Sequence, residues 1–161
     1  MKVKRIPCNK YNYDSGHFRR LKSIDTIYIH YTANDNDSAE NNGLYFQKAH
    51  EPPTSAHYFI DRDGNIIKSV KYRYIAYAVG NWPENCRSIS IELCDFNKNK
   101  EISEAQKEAL IWLIKYLKKK IPSIKYFKRH YDASGKKCPI NLIDLKKWYQ
   151  FKNSLNIDWI K

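Results

Sequence analysis

The 161-residue sequence lacks several features that would settle its class at once. No uninterrupted apolar stretch approaches the roughly 20 residues that a bilayer-spanning helix requires, so a soluble protein is expected. The opening MKVKRIPCNKYNYDSG carries positive charge but no apolar run behind it, which excludes a Sec-type signal peptide in this segment and makes cytoplasmic synthesis the expectation. Four cysteines, Cys8, Cys86, Cys94 and Cys138, are irregularly spaced and form no CxxC pair, unlike a small secreted disulfide scaffold. Internal repeats, low-complexity tracts and obvious linkers are missing too. Acidic residues are scarce: Asp+Glu number 17 against 29 Lys+Arg, a formal net charge of +12. Such a balance predicts an anionic partner, whether nucleic acid, an acidic membrane surface or a wall carrying anionic polymers, and says nothing of fold.

What is present is a globular composition, 42% hydrophobic and 14% aromatic, in a length suited to one domain spanning 1–161. Asp25 to Tyr31 reads as a strand, with Ile27 and Ile29 on one face and Tyr28 and His30 on the other. Ser38 to His50 reads as a helix stopped by Pro52-Pro53. Ser55 to Val70 has the pattern of a hairpin, because Asp63-Gly64-Asn65 supplies turn chemistry between two apolar runs. Ser88 to Leu93 alternates, leaving Ser90 and Glu92 opposite Ile89, Ile91 and Leu93. Ser103 opens a capping box, after which Leu110, Leu113, Ile114, Leu117 and Ile121 recur at helical spacing until Pro122. Ile124 to Arg129 is a further candidate strand, and a last helix is expected from Leu142 to Phe151 after an Asn141 cap. The polar segment up to Ser23 is expected to be irregular, and Trp159-Ile160 to dock on the core. Interleaved strands and helices predict an α/β fold, a central mixed β-sheet with helices on its faces.

Two groups of polar residues carry possible chemistry. His30 and Glu92 fall near strand ends on polar faces. Arg129 to Pro139, read as a loop, holds His130, Asp132, Lys136 and Cys138. Imidazole nitrogen and thiolate sulfur are zinc ligands by type, and a catalytic site keeps three protein ligands and one open position, a set that His30, His130 and Cys138 would supply. No HExxH is present to place two ligands on one element. Taken singly, His30 is more often a hydrogen-bonded structural histidine, and Glu92 and Lys136 have ordinary readings as surface charges.

Four blocks in order, Ile27-Tyr-Ile-His-Tyr-Thr-Ala33, Ser55-Ala-His-Tyr-Phe-Ile-Asp-Arg-Asp-Gly64, Ser88-Ile-Ser-Ile-Glu-Leu93, and Arg129-His130 with Lys136-Lys-Cys-Pro139, resemble the type-2 N-acetylmuramoyl-L-alanine amidases of the peptidoglycan-recognition-protein and phage-lysozyme superfamily. The resemblance implies an amidase-2 fold and one Zn2+ held by His30, His130 and Cys138. It implies that Glu92 acts on the zinc water and that Lys136 steadies the oxyanion, with Lys137 the alternative for the inward-facing lysine. It also implies hydrolysis of the amide between muramic acid and L-alanine, in the manner of a phage or prophage endolysin or an autolysin. Tyr31, His57, Asn81 and Trp82 are candidates for a substrate groove, although His57 reads first as a residue packed or hydrogen-bonded inside the sheet and is not counted as a ligand. Ala56 stands where one branch of the family carries a tyrosine, which favours the branch that uses Glu92, and Ser90 replaces a common glycine.

Two other functions compete. A peptidoglycan-binding module without catalysis commonly lacks the cysteine ligand that Cys138 would provide. Nucleic-acid binding has the basic balance and Lys118-Lys-Lys120 in its favour, but no motif, and those lysines end a predicted helix where cations oppose the macrodipole. The expected partners are peptidoglycan stems and anionic wall polymers, reached from the cytoplasm through a separate membrane pore, with a wall-binding domain beyond Lys161 conceivable in a longer chain.

Overall fold

The computed structural model describes residues 1–159. Six strands form the main sheet: β1 (Val3–Arg5), β3 (Thr26–Tyr31), β4 (Tyr58–Ile60), β5 (Ile66–Lys68), β7 (Ser88–Leu93) and β8 (Tyr126–Arg129). Their order is β1-β5-β4-β7-β3-β8, and a separate pair joins β2 (Tyr13–Asp14) to β6 (Ile75–Ala76). All neighbouring pairs in the main sheet are parallel except the β4–β5 hairpin, so the expected mixed sheet is found. The helices are α1 (Ala39–Tyr45), α2 (Trp82–Cys86), α3 (Glu104–Lys120), α4 (His130–Ser134) and α5 (Leu145–Ser154). None is long and apolar enough to cross a membrane.

Alternation along β3 and β7 sorts the two faces of the sheet. Ile27, Ile29, Ile89, Ile91 and Leu93 are fully buried in a cluster with Leu110, Leu113, Ile114 and Leu117 of α3 and with Trp148 of α5. A smaller cluster on the other face joins Ile6, Ala39, Phe59, Ile67 and Cys94. The α3 helix starts where the capping box predicts, with Ser103 Oγ accepting from the Gln106 N–H at 3.1 Å. Within the hairpin, Asp61 Oδ1 accepts from the Asp63 and Asn65 N–H groups, and Gly64 adopts a φ of 81° that a side chain would resist.

Several boundaries differ from the sequence reading. The segment before Ser23 is not wholly irregular: β1 adds to the sheet edge, pairing Val3 to Ile66 and Arg5 to Lys68. The helix expected over Ser38 to His50 ends at Tyr45. Carbonyls beyond it are taken by the N-terminal segment, since Asn12 Nδ2 donates to Lys48 O at 2.7 Å and Asn9 Nδ2 to Gln47 O at 3.2 Å. The last helix begins at Leu145 under an Asp144 cap, not an Asn141 one, because Asn141 donates instead to the carbonyls of Asn97 and Lys100. Trp159 packs against the main cluster with Lys118 Nζ 4.8 Å from its ring centre, while Ile160 lies outside the described residues.

Candidate active site

Register assembles the site. His30 stands opposite Glu92 across the β3–β7 pair, and Ile29 opposite Arg129 across β3–β8, so His30, Glu92 and His130 come together at the carboxyl ends of three adjacent parallel strands. Open α/β sheets present their ligands at that end, where strands stop and loops begin. His30 Nδ1 lies 3.0 Å from His130 Nδ1 and 4.0 Å from Cys138 Sγ. Donor atoms of all three residues fall within 4.8 Å of one another, and all three residues are buried. Two neutral imidazole nitrogens that close present lone pairs to each other unless a proton or a cation lies between them. Such a donor set fits a metal ion.

The segment carrying His130 and Cys138 is stiff for reasons visible in its hydrogen bonds. Arg129, 4% exposed, spans from Asp132 Oδ1 at 2.6 Å to the carbonyls of Leu142 and Ile143. Asp132 Oδ2 in turn accepts from the Arg129 N–H at 2.8 Å, which starts the short α4 helix where a loop was expected. Gly135, at a φ of 75°, ends α4, and the Tyr131 N–H donates to Cys138 O. Cys138 is thereby returned to within reach of His30.

Burial dominates the electrostatics. It holds His30 well below the ordinary histidine range, with the charges of His130 and Lys136 acting in the same direction. His130 is pushed down to about 4 by burial and by Lys136, while the Val79 carbonyl works in the opposite sense. Both rings are therefore neutral near pH 7, as metal ligation requires. Burial pushes the Cys138 thiol up to about 12, with Glu92 adding to the rise and the Tyr31 N–H and Lys136 opposing it. Glu92 is raised to about 8 by burial, against the pull of Lys136. Its Oε1 lies 3.8 Å from His30 Nδ1, while its Oε2 is enclosed without a hydrogen-bond partner. A buried polar atom without a partner is costly, and such atoms collect where something else is meant to bind.

Two cavities flank this centre and share Lys136. One, of about 450 Å³, is bordered by Tyr31, Asp37, Tyr45, Phe59, Glu92 and Lys136. The other, of about 540 Å³, is bordered by Pro53, Tyr77, Asn81, Trp82, His130 and Lys136. Tyr31 thus borders the first cavity, and Asn81 and Trp82 border the second. Lys137 borders neither cavity, whereas Lys136 borders both.

His57 borders neither cavity. It is 1% exposed, and the Ser90 N–H donates to its Nδ1 at 3.1 Å. Nε2 is then the protonated nitrogen and donates to Tyr74 O at 3.2 Å, with the Arg19 guanidinium beside it at 3.0 Å. Its place is the interior of the sheet, because the residue precedes β4 and points into a packed layer. Cys8, Cys86 and Cys94 are free thiols outside the His30, His130 and Cys138 donor set, although Cys94, raised first by burial, lies near enough to Asp37 and Glu92 for their charges to raise it further.

Sequence reasoning missed Asp37 and Tyr45 in the first cavity, which lie just before and at the end of α1 and carry no local signature. It also missed Asn85, whose Oδ1 accepts from the Ala78 and Val79 N–H groups and so holds the strip of chain beside His130.

N-acetylmuramoyl-L-alanine amidase CwlA of Bacillus subtilis (strain 168) is 29% identical over 137 residues, 82% of this chain and 49% of that protein. N-acetylmuramoyl-L-alanine amidase XlyB of the same organism is 30% identical over 138 residues, 83% of this chain and 42% of that protein. The chain therefore spans about half or less of the length of these curated relatives. Among solved structures, PlyL superposes with a TM-score of 0.80 at 23% identity, covering 96% of this chain and 97% of that one. The catalytic domain of XlyA gives 0.78 at 24% identity, covering 96% and 99%. Identities that low speak to the fold, which is the same. Residues 20–141 match the family described as N-acetylmuramoyl-L-alanine amidase, and the chain belongs to that family.

Proposed function

We propose that this chain is a zinc-dependent catalytic domain that hydrolyses the amide between N-acetylmuramic acid and the L-alanine of peptidoglycan stems, in the service of bacterial cell-wall lysis. One observation carries the reading: His30, His130 and Cys138 converge within 4.8 Å directly beside Glu92 and Lys136, at the junction of two cavities. Tetrahedral zinc, with bonds of about 2.0 to 2.3 Å, separates its donors by roughly 3.3 to 3.6 Å. The distances of 3.0 and 4.0 Å around His30 Nδ1 bracket that range. Two nitrogens and one sulfur also leave a fourth position open, as hydrolytic zinc sites do.

Zinc bound there would supply a Lewis acid that brings water toward neutral pKa and polarises the scissile carbonyl. The protein supplies the rest. In its carboxylate form, which the charge of Lys136 and a cation held by the neighbouring donors would favour, Glu92 takes a proton from the attacking water and delivers it to the departing alanine nitrogen. Lys136 brings its positive charge to the oxygen that becomes negative as the carbonyl carbon turns tetrahedral. The two cavities receive the parts of the substrate on either side of the bond, the glycan-bearing lactyl group and the stem peptide. The net charge of +12 draws the domain to a wall rich in anionic polymers. Further segments of a longer parent chain and a separate route to the wall belong to the same reading, as in a phage endolysin or an autolysin.

The decisive experiment measures free amino groups released from purified Gram-positive peptidoglycan and identifies the new N-terminal residue. L-alanine is expected, with the release abolished by chelation and by Cys138→Ser. Sedimentation with the wall without any release would replace this reading by one of binding alone.

A further inference from the structure

On the sheet face opposite His30 and Glu92, register sets two cations side by side. Arg5 of β1 pairs with Lys68 of β5, and Lys68 pairs with Tyr58 of β4. Tyr58 pairs in turn with Ile91, so this row lies on the aliphatic face and not on the face of Glu92. Like charges directly opposite one another across strands repel. Nothing acidic relieves the repulsion: among the described residues, Arg5, Lys68, Lys71 and Arg73 form no ion pair. These four border one cavity of about 350 Å³ together with Phe18, Tyr72 and Tyr74. Lys68 Nζ lies 3.7 Å from the Tyr72 ring centre and 5.7 Å from that of Tyr58, and the Arg73 guanidinium lies 5.2 Å from the Phe18 ring centre. Burial, then Arg5 and Lys71, hold Lys68 down to about 8, the behaviour of a half-buried ammonium with no anion at hand.

A pocket that gathers four unpaired cations and lines them with ring faces is built for a phosphate attached to an aliphatic or sugar-like body. We propose that it binds the phosphate groups of an anionic polyol-phosphate polymer, as a second contact separate from the centre at His30. The anion chemistry stands on the pocket alone, whereas the choice of a wall-type polymer rests on the amidase reading. Shape supports the choice over nucleic acid. A duplex carries one charge per about 1.7 Å and engages a stripe of cations, whereas these converge on one concavity. Held by such a contact, the active centre on the other face meets the wall at a raised local concentration.

The test is equilibrium binding of the purified chain to poly(glycerol phosphate) at fixed low salt. Lys71→Gln/Arg73→Gln is compared with Lys115→Gln/Lys119→Gln, which removes the same charge from exposed positions on α3. The first pair is expected to weaken binding on the order of tenfold, as loss of two charge-assisted contacts does, and the second less than about twofold. Hydrolysis of a soluble muramoyl peptide is expected to be unchanged in both. Lys68→Met, which keeps the apolar stem and removes the repelled charge, is expected to raise the melting temperature while lowering affinity. Equal losses in the two pairs, the absence of saturable binding, or tighter binding of DNA through the same residues would overturn the proposal. Failure of the wild type to cleave the muramoyl peptide would instead sink the amidase reading and leave the binding result standing.

Discussion

The paired strands β3 and β7 hold a carboxylate near each end, and the two are treated in opposite ways. Just before β3, Asp25 receives the Arg87 guanidinium, with the Nε–Oδ1 bond at 2.8 Å and a second, shorter contact through Nη2, and the Thr26 hydroxyl at 2.8 Å. Burial alone raises its pKa, but these hydrogen bonds and the charge of Arg87 win and hold it below the ordinary carboxylate range. At the other end Glu92 has no such partner, and burial raises it to about 8. One carboxylate is satisfied by the protein and contributes to the fold. The other keeps an oxygen without a hydrogen-bond partner, at a cost in stability. The same contrast divides the faces of β7, where Ile91 is fully buried in aliphatic contact and its neighbour Glu92 opens on the groove.

The sharpest way to break the comparison is Glu92→Gln. Peptidoglycan hydrolysis is expected to fall by about 10² to 10⁴-fold, the usual contribution of a proton-transferring group, while the thermal midpoint changes little because the near-isosteric amide keeps the packing and removes only the ionisable group. A fall in stability matching that of a core mutant would place Glu92 among the structural residues. One position earlier the order should invert. Ile91→Ala is expected to cost about 2 to 5 kcal/mol in denaturant titration, with turnover per folded molecule largely kept.

A smaller effect should come from Asn85→Ala, which frees the Ala78 and Val79 N–H groups beside His130. A partner bonded directly to a metal ligand is worth about 10 to 100-fold in metal affinity, so Asn85, one step further out, is expected to lower it by no more than about tenfold, readable by competition with a chromogenic chelator. Unchanged affinity would confine Asn85 to the fold.

The mildest prediction concerns pH. A carboxylate whose folded pKa is depressed contributes stability that is fully present above its unfolded value of about 3.9 and is lost as pH falls through the folded value. Asp25→Asn should therefore lower stability near neutrality and flatten its decline in acid. Because the Arg87 side chain is 40% exposed, solvent screening keeps the effect at or below about 1 kcal/mol. An acid limb as steep in the variant as in the wild type would show that other carboxylates govern it.

Much of this was legible along the chain. Alternation in Ser88 to Leu93 put Glu92 on the polar face, the capping box at Ser103 placed α3, and Asp63-Gly64-Asn65 marked the hairpin, since each depends on residues within a few positions of one another. Non-local partners erased what remained. β1 exists because β5 lies beside it, α1 stops early because Asn9 and Asn12 take the carbonyls that follow it, and Asn141 loses its capping role to a loop more than 40 residues away.

The sequence by itself determined which side chains share a face and which residue types are suited to a metal, because side-chain direction in a strand repeats every two residues and donor chemistry belongs to the residue. Only the tertiary structure decided that His30 meets His130 and Cys138 from 100 and 108 positions away, that Lys136 and not Lys137 borders the groove, and that His57 is held inside the sheet. Those outcomes are fixed by strand order and register, which pair distant segments and leave no mark on either one alone.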